Sequence, residues 1–237
     1  MLEYYLLGII LIPGILFATW AQTKVKTNFN KWSDVLSSCG LTGEEIARRV
    51  LDSNGLNHIR IKNVNGTLSD YYDPKKQEIA LSNGVANSSS IASLGVALHE
   101  VGHALQYKEN YLPIKLRNIV IPLCNFTSRM LFPMIIVGLI FNMLLFPGTM
   151  FGMVILYISV ASFALAVILN LITLPVEYNA SRRALKILEN DGYLQQEEVE
   201  GAREVLSAAA LTYVAALIVA ILNLLRFVLA FLVRDRD

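Results

Sequence analysis

The chain has 237 residues with a formal net charge of +1, and its 54% apolar and 16% charged residues give a mean hydropathy of +0.50. Soluble globules carry about 25% charged residues, so this balance points to an integral membrane protein, and the near-zero charge removes the electrostatic case for nucleic-acid binding. Two cysteines, Cys39 and Cys124, are too few for a disulfide framework and read as free thiols.

From the N-terminus, an apolar stretch from Tyr4 to Trp20 is long enough to cross a bilayer core. Thr19-Trp20-Ala21 weakly resembles a signal-peptidase site, but the charges follow the apolar run instead of preceding it, which favours an uncleaved anchor. Thr42-Gly43-Glu44-Glu45 fits a capping box opening a short helix to Ser53, with Ile46, Val50 and Leu51 on one face. Runs at His58–Val64, Leu68–Tyr72 and Glu78–Ser82, punctuated by Asn65-Gly66 and Asp73-Pro74, predict a small antiparallel sheet. A helix is predicted over Ser90–Tyr107, and Tyr111–Ser128 reads as an interfacial amphipathic segment. Further apolar stretches follow at Met130–Phe146, Met150–Leu174 and Ala208–Arg226, with Phe146-Pro147-Gly148-Thr149 as an uncharged turn between the first two of these.

The expected fold is therefore a mainly α integral membrane protein, with four transmembrane helices and a small α+β cytoplasmic catalytic domain. Its segments are a first span (1–20), a catalytic segment (21–129), a transmembrane hairpin (130–174), a second polar helical segment (175–207), and a fourth span with its tail (208–237). Residues 21–129 hold thirteen Lys and Arg and residues 175–207 hold four, whereas the opposite face has none before the first span, none in the hairpin and only Arg226, Arg234 and Arg236 at the end. The positive-inside rule then predicts that both polar segments are cytoplasmic and both termini outside.

Chemistry concentrates in His99-Glu100-Val101-Gly102-His103, an H-E-x-x-H. On a helix the i, i+4 spacing puts both imidazoles on one face, where two neutral imidazoles suit zinc and the intervening carboxylate can act on water. Two of the chain's three histidines fall in this motif. Ala92, Gly95, Gly102 and Gln106 flank the same face. A catalytic zinc needs a third protein ligand. The extended motif with a later histidine fails, because Gln106 and Glu109 stand at its Gly and His positions. Two candidates remain: Glu177, whose helical face also carries Ala180, Ser181 and Ala184, and Asp191 in Asn190-Asp191-Gly192, an arrangement known from intramembrane site-2 proteases.

These motifs resemble the YugP-like neutral zinc metallopeptidases of bacterial membranes. The resemblance runs through Asp70–Pro74, Ser93–Gln106, Pro175–Ala184 and Glu200–Leu206 with Ala208–Tyr213. It implies a gluzincin-type site at the bacterial plasma membrane, with Zn2+ on His99, His103 and Glu177, Glu100 as general base, and a protein or peptide as substrate. Zinc there would lower the pKa of a water in its fourth position, and Glu100 would take that water's proton as it attacks a peptide carbonyl. Related gluzincins have an Asp four residues after the ligand Glu to orient a histidine; here that position is Ser181, and Asn179 and Arg182 are further candidates for support. In similar folds an edge strand binds the substrate backbone, which implicates Glu78–Ser82. The group that meets the oxyanion is left open among His58, Tyr71, Tyr72, Arg182 and Arg183. A site-2-type protease using Asp191 and a zinc-binding scaffold without catalysis are the alternatives; a metal transporter is disfavoured by the scarcity of ionisable residues in the spans. Oligomeric state and substrate identity do not follow from the sequence.

Overall fold

A computed structural model describes residues 8–140 and 151–234. The chain is mainly helical, with seven named helices and one three-stranded sheet among the described residues. In order these are α1 (Ile12–Ser33), α2 (Gly43–Ser53), β1 (Arg60–Val64), β2 (Tyr71–Asp73), β3 (Glu78–Ser82), α3 (Asn83–Ala86), α4 (Ile91–Lys108), α5 (Leu112–Ile140), α6 (Phe151–Asn190) and α7 (Gln196–Arg234). The chain divides into two compact units, one of Trp20–Ile114 with Pro175–Thr212, the other of Met1–Thr19, Lys115–Leu174 and Tyr213–Asp237.

In the first unit α2 begins as expected. The Thr42 N–H donates to Glu45 Oε2 at 2.8 Å, and Glu45 N–H donates back to Thr42 Oγ1 at 3.3 Å, so two helix-end donors are satisfied reciprocally. Ile46, Val50 and Leu51 are buried on its inner face. There they join Leu94, Leu98 and Val101 of α4, Ile79 and Leu81 of β3, and Leu188, Val199, Ala202 and Leu206 of the later helices in one apolar core. Ser90 caps α4, accepting from Ser93 N–H at 3.2 Å.

The sheet differs from the expected antiparallel meander. Its order is β1-β3-β2, with β1 parallel to β3 and β2 antiparallel to it. All five residues of β3 are buried. A strand buried on both faces belongs in the middle of a sheet, so β3 displaces the sequence-adjacent β2 from pairing with β1. Asn65-Gly66 is consequently part of a crossover loop, with Gly66 at φ +118°, instead of a hairpin turn. Glu78–Ser82 is therefore not an edge strand, since both its edges are paired; β1 and β2 are the edges. β2 packs toward α4, where the Tyr72 ring meets Tyr107 edge-on with centroids 5.5 Å apart.

Four transmembrane helices are not found among the described residues. Among the described residues two helical stretches are long and apolar enough to cross a membrane, Tyr157–Asn190 within α6 and Gln196–Leu229 within α7. The first expected span starts outside the described residues. Its described continuation, α1, runs into Lys24, Lys26, Asn28, Asn30 and Lys31, which end its apolar character within about two turns of Trp20. The end of the Met130–Phe146 stretch and the Phe146–Thr149 turn also lie outside the described residues. In the second unit Phe163 stacks on Phe227 with centroids 4.5 Å apart, and α5 turns Leu116, Ile119, Leu123, Phe126 and Met130 outward along one face.

Candidate metal centre

The site lies wholly in the first unit, where α4 crosses α6. Contact between these helices depends on Gly102: a Cβ there would stand 2.7 Å from the Ala180 carbonyl oxygen and 3.2 Å from Ala180 Cα. With hydrogen in place of a methyl, the α4 backbone settles directly on α6. Gly95, two turns earlier on the same face, has more room, its Cβ position lying 3.6 Å from Ala202 Cβ.

This close crossing brings three ligand-type side chains together. Glu177 Oε2 lies 3.3 Å from His99 Nε2 and 3.5 Å from His103 Nε2, and the ligand atoms of the three residues all lie within 4.8 Å of one another. The imidazoles are nearly perpendicular, with centroids 4.8 Å apart at 87°. Two imidazole nitrogens and a carboxylate oxygen, aimed at one point in a largely buried pocket, are a donor set that suits zinc. The cluster can hold a metal ion.

The outer nitrogen of each ring is also engaged. His99 Nδ1 stands 3.1 Å from Ser181 Oγ, so the residue four after Glu177 supports a histidine although it is Ser and not Asp. His103 Nδ1 stands 3.0 Å from Gln106 Oε1. Gln106 is fully buried and donates through Nε2 to Val176 O at 2.8 Å and to Asn179 Oδ1 at 3.0 Å. The sequence places Gln106 on the ligand face three residues after His103, which was the available signal, but there it counted only as a flanking residue and as a failure of the extended zinc motif.

Glu100 is buried on α4 between the two histidines, and burial pushes its carboxyl above the ordinary value, opposed by the neighbouring imidazoles. Asn179 reaches the site only through Gln106. Arg182 is exposed and lines a cavity of about 350 Å³ between α6 and α7, with Tyr178, Ser181, Arg203 and Ser207. Arg183 is committed to a two-pronged ion pair with Glu109, at 2.8 and 2.6 Å. Tyr71 is exposed beneath Lys62, and His58 is exposed before β1. Asp191 sits exposed in the turn after α6, where Gly192 adopts φ +70°, and does not join the cluster.

Residues 7–232 match a family described as "Putative neutral zinc metallopeptidase". The chain is 46% identical over 221 residues to a Bacillus subtilis (strain 168) protein named "Putative membrane protease YugP", covering 93% of this chain and 94% of that relative. No solved structure matches.

Proposed function

The chain belongs to this neutral zinc metallopeptidase family, and from that premise we propose that it is a membrane-embedded zinc peptidase whose active centre is His99, His103, Glu177 and Glu100. The observation that carries this reading is the convergence of His99 Nε2, His103 Nε2 and Glu177 Oε2 beside the buried Glu100.

Zinc, when bound, would supply Lewis acidity, lowering the pKa of water toward about 7 and polarising a carbonyl. The protein's own groups do the rest. His99 and His103 present Nε2 while Ser181 and Gln106 hold the opposite nitrogens, which orients both rings. Glu177 adds a carboxylate from the second helix, so metal binding clamps α6 to α4. Glu100, within the same turn as the ligands, accepts the proton of the attacking water and returns it to the leaving nitrogen. The family description and the relative's name, a putative membrane protease, support protein or peptide substrates at a membrane, which we take to be the bacterial plasma membrane. The Lys and Arg excess of residues 21–129 favours a cytoplasmic centre.

Glu100→Gln separates base from ligand. It is expected to keep stoichiometric zinc and lose peptide cleavage, whereas His99→Ala and His103→Ala lose both. Cleavage at the parental rate by Glu100→Gln removes the base assignment, whereas a parent that binds zinc and cleaves no peptide leaves a zinc-binding scaffold as the better account.

A further inference from the structure

We infer that Gln106 is a positioning residue that sets the tautomer and orientation of His103, and that its own orientation is dictated by groups with no choice of hydrogen-bonding role. This rests on the reading of His103 as a zinc ligand.

The network can be followed inward from the surface. A guanidinium has five N–H donors and no acceptor. Arg183 Nε lies 2.8 Å from the Asn179 side chain, so the atom facing it must be the amide oxygen, Oδ1. The Arg183 fork is itself held by both carboxylate oxygens of Glu109, just past the end of α4. With Asn179 Oδ1 turned inward as an acceptor, the Gln106 atom 3.0 Å away must be a donor, the amide nitrogen. The Val176 carbonyl, 2.8 Å from the same nitrogen, can only accept and imposes the same answer independently. Both N–H groups of Gln106 are thereby used, and its oxygen is left facing His103 Nδ1 at 3.0 Å.

An amide oxygen cannot donate, so His103 Nδ1 must carry the proton. Its Nε2 is then the nitrogen with the free lone pair, and it faces Glu177 Oε2 and the point where the metal ligands converge. Gln106 is fully buried, so water does not compete for these contacts. A ring whose outer N–H is held this way is pre-oriented as a ligand and made more basic, and loss of such a partner costs about 10–100-fold in metal affinity. The two histidines are thus held differently: Ser181 Oγ on His99 can either donate or accept, whereas Gln106 on His103 can only accept.

The test uses the full chain in detergent, with zinc affinity measured by competition against a chromophoric chelator and ligand geometry read from the absorption bands of the cobalt-loaded protein. Gln106→Leu is expected to weaken zinc about 10–100-fold and shift the cobalt bands. Parental zinc affinity or unshifted cobalt bands in Gln106→Leu overturns the inference. If the parent itself binds no zinc, the metal-centre reading fails instead, and the two failures are distinguished. Should Gln106→Leu not fold, long-range proton–nitrogen NMR on the zinc-loaded parent decides, since there are only three histidines to assign. His103 must then show a protonated, exchange-protected Nδ1; protonation at Nε2, or free exchange at Nδ1, overturns the inference.

Discussion

Gly102→Ala tests whether the contact between α4 and α6 builds the metal centre. The added methyl would sit 2.7 Å from the Ala180 carbonyl oxygen, about 0.7 Å inside ordinary contact, and the obstruction is backbone, which cannot rotate away. Overpacking of this kind costs about 1–3 kcal/mol. Against that, alanine is a better helix former than glycine by about 1 kcal/mol. The net is a destabilisation of up to about 2 kcal/mol. Gly95→Ala is the control: its methyl meets Ala202 Cβ at an ordinary 3.6 Å, so only the helix-propensity gain applies and the variant should melt above the parent. Metal binding should respond more sharply than stability. Metal-ligand distances tolerate about 0.2 Å, and Gly102 adjoins His103, so parting the helices by several tenths of an ångström carries Glu177 out of reach of both imidazoles. Thermal unfolding of the zinc-free proteins and chelator competition on the zinc-loaded ones measure the two effects separately. If Gly102→Ala melts above the parent and keeps parental zinc affinity, the close crossing is not what assembles the site.

Glu177→Ala should lower zinc occupancy and abolish cleavage, while Asp191→Ala, placed in an exposed turn, should do neither; metal analysis of the purified variants checks this. Asp70 accepts from Ser82 N–H at 2.7 Å and Ser82 Oγ at 3.2 Å, yet burial raises its pKa above the ordinary value. A raised folded-state pKa means the ionised form is disfavoured in the fold, so the penalty is complete at neutral pH and disappears below the unfolded value of about 3.9. Asp70→Asn should therefore raise the melting temperature by a few degrees at pH 7 and lose that advantage at pH 3; an advantage that grows on acidification refutes the assignment. A single cysteine at Lys75, in a background lacking Cys39 and Cys124, should resist a membrane-impermeant thiol reagent added to intact cells, and ready labelling there would put the site outside.

What could be read in the sequence was what depends on near neighbours. The capping box of α2 and the start of α4 at Ser90 are written in residues three or four apart, and His99 and His103 share a face for the same reason. Glu177 was one of two candidates until a resemblance favoured it, because helix crossings are set by contacts such as Gly102 on Ala180, 78 positions apart. The sheet misled because pairing of β1 with β3 skips the intervening strand, and local alternation cannot distinguish that from a meander. The membrane content was overestimated where apolar runs were judged by their ends: α1 continues into a polar, Lys-bearing half that an apolar window starting at Tyr4 did not include.

The centre draws its ligands from two stretches of chain, residues 20–114 and 175–212, which fold as one unit although sixty residues of the other unit lie between them in sequence. The order of synthesis therefore matters. A nascent chain that has released His99, Glu100 and His103 still lacks the carboxylate and the α6 backbone that hold those side chains in place. Such a chain has two imidazoles on a helix, too few protein ligands for a catalytic zinc. Under the proposed function, hydrolytic competence thus arrives only once residues 115–174 have been made and Glu177 follows.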